Sequence, residues 1–185
     1  MTAALLVIDM QMGMARRSAE GRPRANPQAE DNTAALLALF RARGLPVIHV
    51  HHDDPGTPFS KGQPDGEPMP CAQPAPGEAV FWKSTSSAFS GTGLDAHLRK
   101  RGIDRLVLIG AVAAFCVTST TRAASDLGFQ VILPGDALIG FDIPAHDAKD
   151  SGGRIDADTV LRVTLSLLGA DFAQLVTTAE VASVI

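Results

Sequence analysis

The chain has 185 residues, a length that suits one domain, and its 45% hydrophobic and 19% charged composition is that of a globular protein with its own core, not of a disordered one. A formal net charge of -4 and a pI of about 5.7 give no broad positive field, which argues against nucleic acid as a partner. The opening stretch, Met1-Thr-Ala-Ala-Leu-Leu-Val-Ile-Asp9, has no basic start and meets a carboxylate after a short apolar run. It is therefore expected to be neither a secretion signal nor a membrane span, and a soluble cytoplasmic protein is expected.

Ala3 to Ile8 is a continuous apolar run, as in a strand buried on both faces, and Asp9 falls at its carboxyl end. A polar loop rich in Arg and Pro follows. Residues 30–43 carry Ala34, Leu37, Leu39 and Phe40 at helical spacing, and Gly44 stops the helix. Pro46 to Val50 predicts a second strand. The stretch 51–78 is dense in Pro, Gly and Asp without apolar periodicity, which predicts a long loop of the lid or disordered kind. Ala79 to Trp82 is a short strand ending at Lys83, and 92–101 a helix with Leu94 and Leu98 inward.

Arg105 to Gly110 is the clearest buried strand. A turn of small residues leads to an amphipathic segment over 116–127, closed by Gly128. Phe129 to Leu133 predicts another strand, 135–153 a second loop, 156–168 a helix and 173–177 a final strand. The alternation predicts a three-layer α/β/α domain spanning 1–185, with a mainly parallel, Rossmann-like sheet of about six strands and a site at their carboxyl ends. Asp9, Lys83 and Cys116 all fall at that edge.

Cys116 falls at the start of a helix, where the helix dipole and a nearby cation lower a thiol pKa from its usual value of about 8.5 toward a thiolate. The alternative is a buried core cysteine. Asp9 at the end of an apolar strand suits a general base, or an aspartate capping its loop. Lys83 could hold a thiolate by charge, or be one more solvated lysine. Cys71 lies among Pro68, Pro70 and Pro74 with no base beside it, and two cysteines make no disulfide framework. Phe59, Trp82, Phe89 and Phe115 could wall an apolar pocket or belong to the core. His97 and His146 suit surface positions, the latter within reach of a substrate if its loop folds over. Gly91-Thr-Gly93 lacks the context of a dinucleotide fingerprint.

Three motifs occur in order: Leu5-Leu-Val-Ile-Asp9-Met-Gln11; Lys83 with Ser87-Ala-Phe89 and Gly91-Thr-Gly-Leu94 behind it; and Gly110-Ala-Val-Ala-Ala-Phe-Cys116-Val-Thr-Ser-Thr120. Together they resemble the isochorismatase-like cysteine hydrolases, relatives of nicotinamidase and N-carbamoylsarcosine amidase, over nearly the whole chain. The resemblance implies an Asp9–Lys83–Cys116 triad cleaving a C–N bond of a small molecule through a thioester. It also implies a cis peptide between Ala111 and Val112, with the N–H groups of Val112 and Cys116 as the oxyanion hole. Gln11 joins the substrate-binding candidates on the same ground, and a homo-oligomer, dimer or tetramer, is implied.

Two departures stand out: many relatives carry Thr at the position of Ala113, and the metal-binding branch has an Asp-x-His arrangement where this chain reads His49-Val-His51-His52-Asp53-Asp54-Pro55. His51 and His52 would point apart on a strand, so no metal and no other cofactor is expected, and the histidines are expected to flank the lid. The alternative is a metal held by Asp53, Asp54 and one histidine. Competing functions are isochorismatase-type ether cleavage, whose enzymes generally lack the cysteine, a non-catalytic binding or assembly module of the same fold, and a thiol sensor.

Overall fold

The computed structural model describes residues 2–146 and 153–185. Six parallel strands, in the order β10-β6-β5-β1-β3-β4, form the body of the sheet. They are β1 (Thr2–Ile8), β3 (Val47–His52), β4 (Ala79–Lys83), β5 (Ile103–Ala111), β6 (Gln130–Pro134) and β10 (Gln174–Val176). A seventh strand, β7 (Leu138–Phe141), runs parallel to the last residues of β5 and pairs antiparallel with β2 (Arg24–Ala25). Ile143–Pro144 (β8) and Arg154–Ile155 (β9) pair separately.

Alternation along β1 divides the core. Ala4, Leu6 and Ile8 join Leu94 and Leu98 of α3 (Leu94–Lys100), Ala124 of α4 (Thr118–Asp126) and Leu161 and Leu168 of α5 (Ala157–Asp171). Ala3, Leu5 and Val7 join Met14 of α1 (Met12–Ala19), Leu36, Leu37 and Phe40 of α2 (Ala29–Ala42) and Val181 of α6 (Val181–Val184). Both faces are thus covered, as the all-apolar strand requires, and each fully buried aliphatic side chain stabilises by roughly 1.5–3 kcal/mol. The expected mixed α/β fold with a mostly parallel sheet between helices is present.

Three expectations need correction. The polar segment after Asp9 contains α1, whose only buried residues, Gly13 and Met14, give too narrow an apolar stripe to register as a helix. The 135–153 loop contains β7, which is short and completes the sheet beyond β5; residues 147–152 of that loop lie outside the described residues. The 53–78 segment is not a free lid. Met12 N–H and Gly13 N–H donate to Glu67 and Asp65 carbonyls, Met69 N–H donates to Met10, and Glu78 binds both Arg41 and the buried His49. Burial alone would raise the Glu78 carboxyl, but the Arg41 guanidinium, the Ala75 N–H and His49 outweigh it and hold it down at about 2.

Where β1 and β5 lie side by side, the sheet reverses its winding, and the carboxyl ends of strands open there. Gly110 sits at that edge with φ +121, and a Cβ on it would lie 2.0 Å from the Ile8 carbonyl oxygen. Gly102, with φ +64, has open space around it. Gly110→Ala is therefore expected to lower stability in urea unfolding by more than about 3 kcal/mol, against about 1–2 kcal/mol for Gly102→Ala. Equal losses would show that the close approach of β1 and β5 is not what requires the glycine.

Candidate active site

Four neighbouring strand ends, β5, β1, β3 and β4, each contribute one chemical group. Asp9 follows β1 with φ +49, a left-handed backbone that Asp tolerates better than most residues, and Gln11 N–H closes a tight turn on its carbonyl. His52 ends β3 and Lys83 ends β4, and the two are direct register partners. Cys116 follows β5 within a turn of π-helix, Ala113–Val117, in which Val117 N–H reaches back to the Val112 carbonyl at 3.3 Å. The Ala111–Val112 peptide is cis. Ala88 N–H donates to the buried Thr120 hydroxyl at 3.0 Å, tying the segment after Lys83 to the helix after Cys116.

Lys83 Nζ is the centre of the group. It donates to Asp9 Oδ2 at 2.8 Å, contacts His52 Nδ1 at 3.1 Å and donates to Cys116 Sγ at 3.3 Å. Asp9 is 0% and Lys83 2% exposed, so the ion pair is fully desolvated, whereas Cys116 is half-buried. Asp9 Oδ1 is buried without a hydrogen-bond partner, and the Cys116 thiol lies against the same carboxylate.

The electrostatics correct one expectation. Burial pushes the Cys116 thiol up to about 12; the Asp9 charge raises it further and Lys83 only partly opposes them. The expected cation is present, but the carboxylate beside it cancels much of its field, and desolvation decides. Burial thus favours the thiol form of Cys116 over the thiolate. Asp9 is raised as well, by burial first, against the lowering effect of Lys83. A raised carboxyl is a stronger base than an ordinary one.

Of the expected substrate-binding residues, Phe59 lies 5.9 Å from the His52 ring, between ring centres, and Phe115, 53% exposed, precedes Cys116. Phe89, half-buried, stacks on Phe129 at 5.8 Å and packs against the edge of the core. Trp82, one residue from Lys83 and so on the opposite pleat face, packs at 5.1 Å on His51 with the Lys61 amine 5.2 Å above its ring. Gln11 is fully buried and its carboxamide is spent on backbone: it donates to the His52 and Gly66 carbonyls and accepts from His52 N–H. It positions rather than faces a cavity. Cys71 is a free, half-buried thiol that burial pushes up to about 11. His97 meets Phe81 edge-on, and His146 is exposed.

The histidines do point apart. His51 stacks between His49 and Trp82, and burial holds it neutral with a pKa near about 4, while His52 enters the site. His52 is a site residue that the sequence does not single out, because β3 runs on to His52 and its pairing with β4 is what sets the ring opposite Lys83. Among the described residues, Asp9, His52 and Cys116 are the one set of three potential metal ligands within 4.8 Å of one another. Lys83 Nζ already bonds to all three, so an ammonium takes the space between them. Asp53 and Asp54 do not join the set; an Asp53 oxygen accepts from Lys61 N–H.

Over 143 residues the chain is 38% identical to the streptothricin hydrolase of Streptomyces noursei, covering 77% of this chain and 51% of that protein, so it spans about half of that relative's length. It is 32% identical over 165 residues to the maleamate amidohydrolase of Pseudomonas putida, covering 79% and 76% of the two chains. An isochorismatase-family protein of known structure from Chromobacterium violaceum superposes with a TM-score of 0.91 at 39% identity, over 98% of this chain and 92% of that one. The isochorismatase domain model matches residues 3–150, and the chain accordingly belongs to the isochorismatase family of hydrolases.

Proposed function

We propose that this hydrolase cleaves the C–N bond of a small-molecule amide or carbamoyl compound, with Cys116 as nucleophile, Asp9 as proton carrier and Lys83 as their fixed counter-charge. The observation that carries this reading is the buried Asp9–Lys83–Cys116 contact, 2.8 Å and 3.3 Å from one ammonium. Relatives named for maleamate and streptothricin hydrolysis support amide chemistry over the ether cleavage for which the family is named. The apolar outer face of α5, where Val163 and Leu167 are more than half exposed, supports the self-association expected from the resemblance.

In this mechanism the Cys116 thiol passes its proton to Asp9 as Sγ bonds to the carbonyl carbon. The oxyanion is received by the Val112 and Cys116 N–H groups. Asp9 then protonates the leaving nitrogen, the C–N bond breaks, and ammonia or an amine departs from a thioester. Asp9 next deprotonates a water that attacks the thioester, releasing the acid and returning the proton to Cys116. Lys83 keeps its charge throughout, so the buried carboxylate is never left unpaired.

Cys116→Ala is expected to lower turnover on an amide substrate by at least about a thousandfold with an unchanged unfolding midpoint, while Cys71→Ala stays near wild type. Mass spectrometry of the quenched wild type would carry the acyl adduct on Cys116. Activity on the alanine variant above a few per cent, or an adduct on Cys71, refutes the assignment.

Because burial favours the thiol form of Cys116, its alkylation by iodoacetamide is expected to climb about tenfold per pH unit from pH 7 to 9, with no plateau. A plateau near neutrality would mean a preformed thiolate.

Asp9→Asn separates the two roles of Asp9. Removing its charge leaves Lys83 unopposed beside the sulfur, so alkylation at pH 7 should quicken by about tenfold or more even as turnover falls by about a hundredfold to ten-thousandfold. Slower alkylation would show that the carboxylate does not face the thiol.

A further inference from the structure

An ammonium has three N–H donors and no acceptor, and Lys83 directs one toward each of three groups: Asp9, Cys116 and His52. From this geometry we infer that His52 is a fourth member of the site, a positioning residue whose Nδ1 accepts the third N–H of Lys83 and fixes the ammonium against Cys116. The inference builds on the triad reading, but its first test is independent of turnover.

Chemistry dictates the tautomer. Lys83 can only donate, so Nδ1 must carry a lone pair and the ring proton must sit on Nε2. The protein holds the ring's backbone in place from both sides. Gln11 Nε2 donates to the His52 carbonyl at 2.9 Å, His52 N–H donates to Gln11 Oε1 at 2.8 Å, and Asp53 N–H donates to the Lys83 carbonyl at 2.8 Å. The groups facing the ring are Lys83 from β4, Asp9 from β1, Cys116 from beyond β5, Asp53 and Asp54 from the following loop, and the Phe59 ring. Burial, then the Lys83 charge, favour the neutral ring against the pull of the carboxylates. Without an acceptor at this point, one buried N–H of Lys83 would be unpaired, and the long side chain would have a reason to turn away from the sulfur.

The test uses the intact chain. In wild-type protein with 15N-labelled histidine, long-range 15N–1H spectra at neutral pH are expected to show His52 as the Nε2–H tautomer, and Lys83→Met should release that preference. For turnover, His52→Asn places an amide oxygen near the position of Nδ1 and should keep kcat within about threefold of wild type. His52→Leu, which cannot accept, should lower kcat by about ten- to a hundredfold, with KM nearly unchanged and slower alkylation of Cys116. An Nδ1–H or doubly protonated ring, or equal effects of Asn and Leu, overturns the inference. If turnover in every variant turns out not to depend on Cys116, the tautomer still decides whether His52 accepts from Lys83, so failure of the triad reading stays distinguishable from failure of this one.

Discussion

A single buried ammonium organises this molecule. Lys83 brings a full charge to the end of β4, where water is nearly absent, and such a charge is tolerated only when every donor has a partner of suitable chemistry. Its partners come from three other strand ends, so the strand order β5-β1-β3-β4 is also the order of the site: sulfur, carboxylate, imidazole, ammonium. Any shift of one strand relative to its neighbour would separate a buried ion pair and so be costly, which couples the register of the sheet to the geometry of the site.

The surrounding structure serves that edge. Gly110 lets β5 approach β1 closely as the chain turns toward Cys116, and Asp9 adopts a left-handed backbone to leave β1. Gln11, fully buried in a chain segment of mixed polarity, spends its amide on the backbone of His52 and Gly66 and so joins β1, β3 and the long loop at one point. Glu78 closes the far end of that loop on Arg41 and His49. The loop is long, yet it is fastened at both ends and in the middle, which is why a segment without hydrophobic periodicity is ordered.

Opposite charges in one desolvated site also act on the state of Cys116. A cation alone beside Cys116 would favour a thiolate; a cation already neutralised by a carboxylate does so only weakly, and burial then favours the uncharged thiol. In the proposed mechanism, proton transfer and bond formation therefore fall on the same step. A neutral thiol is also less prone to oxidation than an exposed thiolate, which weakens the reading of Cys116 as a redox sensor.

The sequence by itself determined the strands, because continuous apolar runs such as Ala3 to Ile8 are read locally, and it placed Asp9, Lys83 and Cys116 at their carboxyl ends. It also determined that His51 and His52 oppose each other, since a strand alternates strictly. It could not determine which strands are neighbours, and the pairing of β3 with β4 is what brings His52 opposite Lys83. It left α1 and β7 unseen, because their burial comes from distant elements and not from their own periodicity. The aromatic residues were ambiguous for the same reason: Phe89 finds Phe129 and Trp82 finds His51 only once the chain has folded. The state of the thiol was likewise a tertiary property. Burial and the balance of two opposed charges fix it, and neither quantity exists until the four strand ends meet.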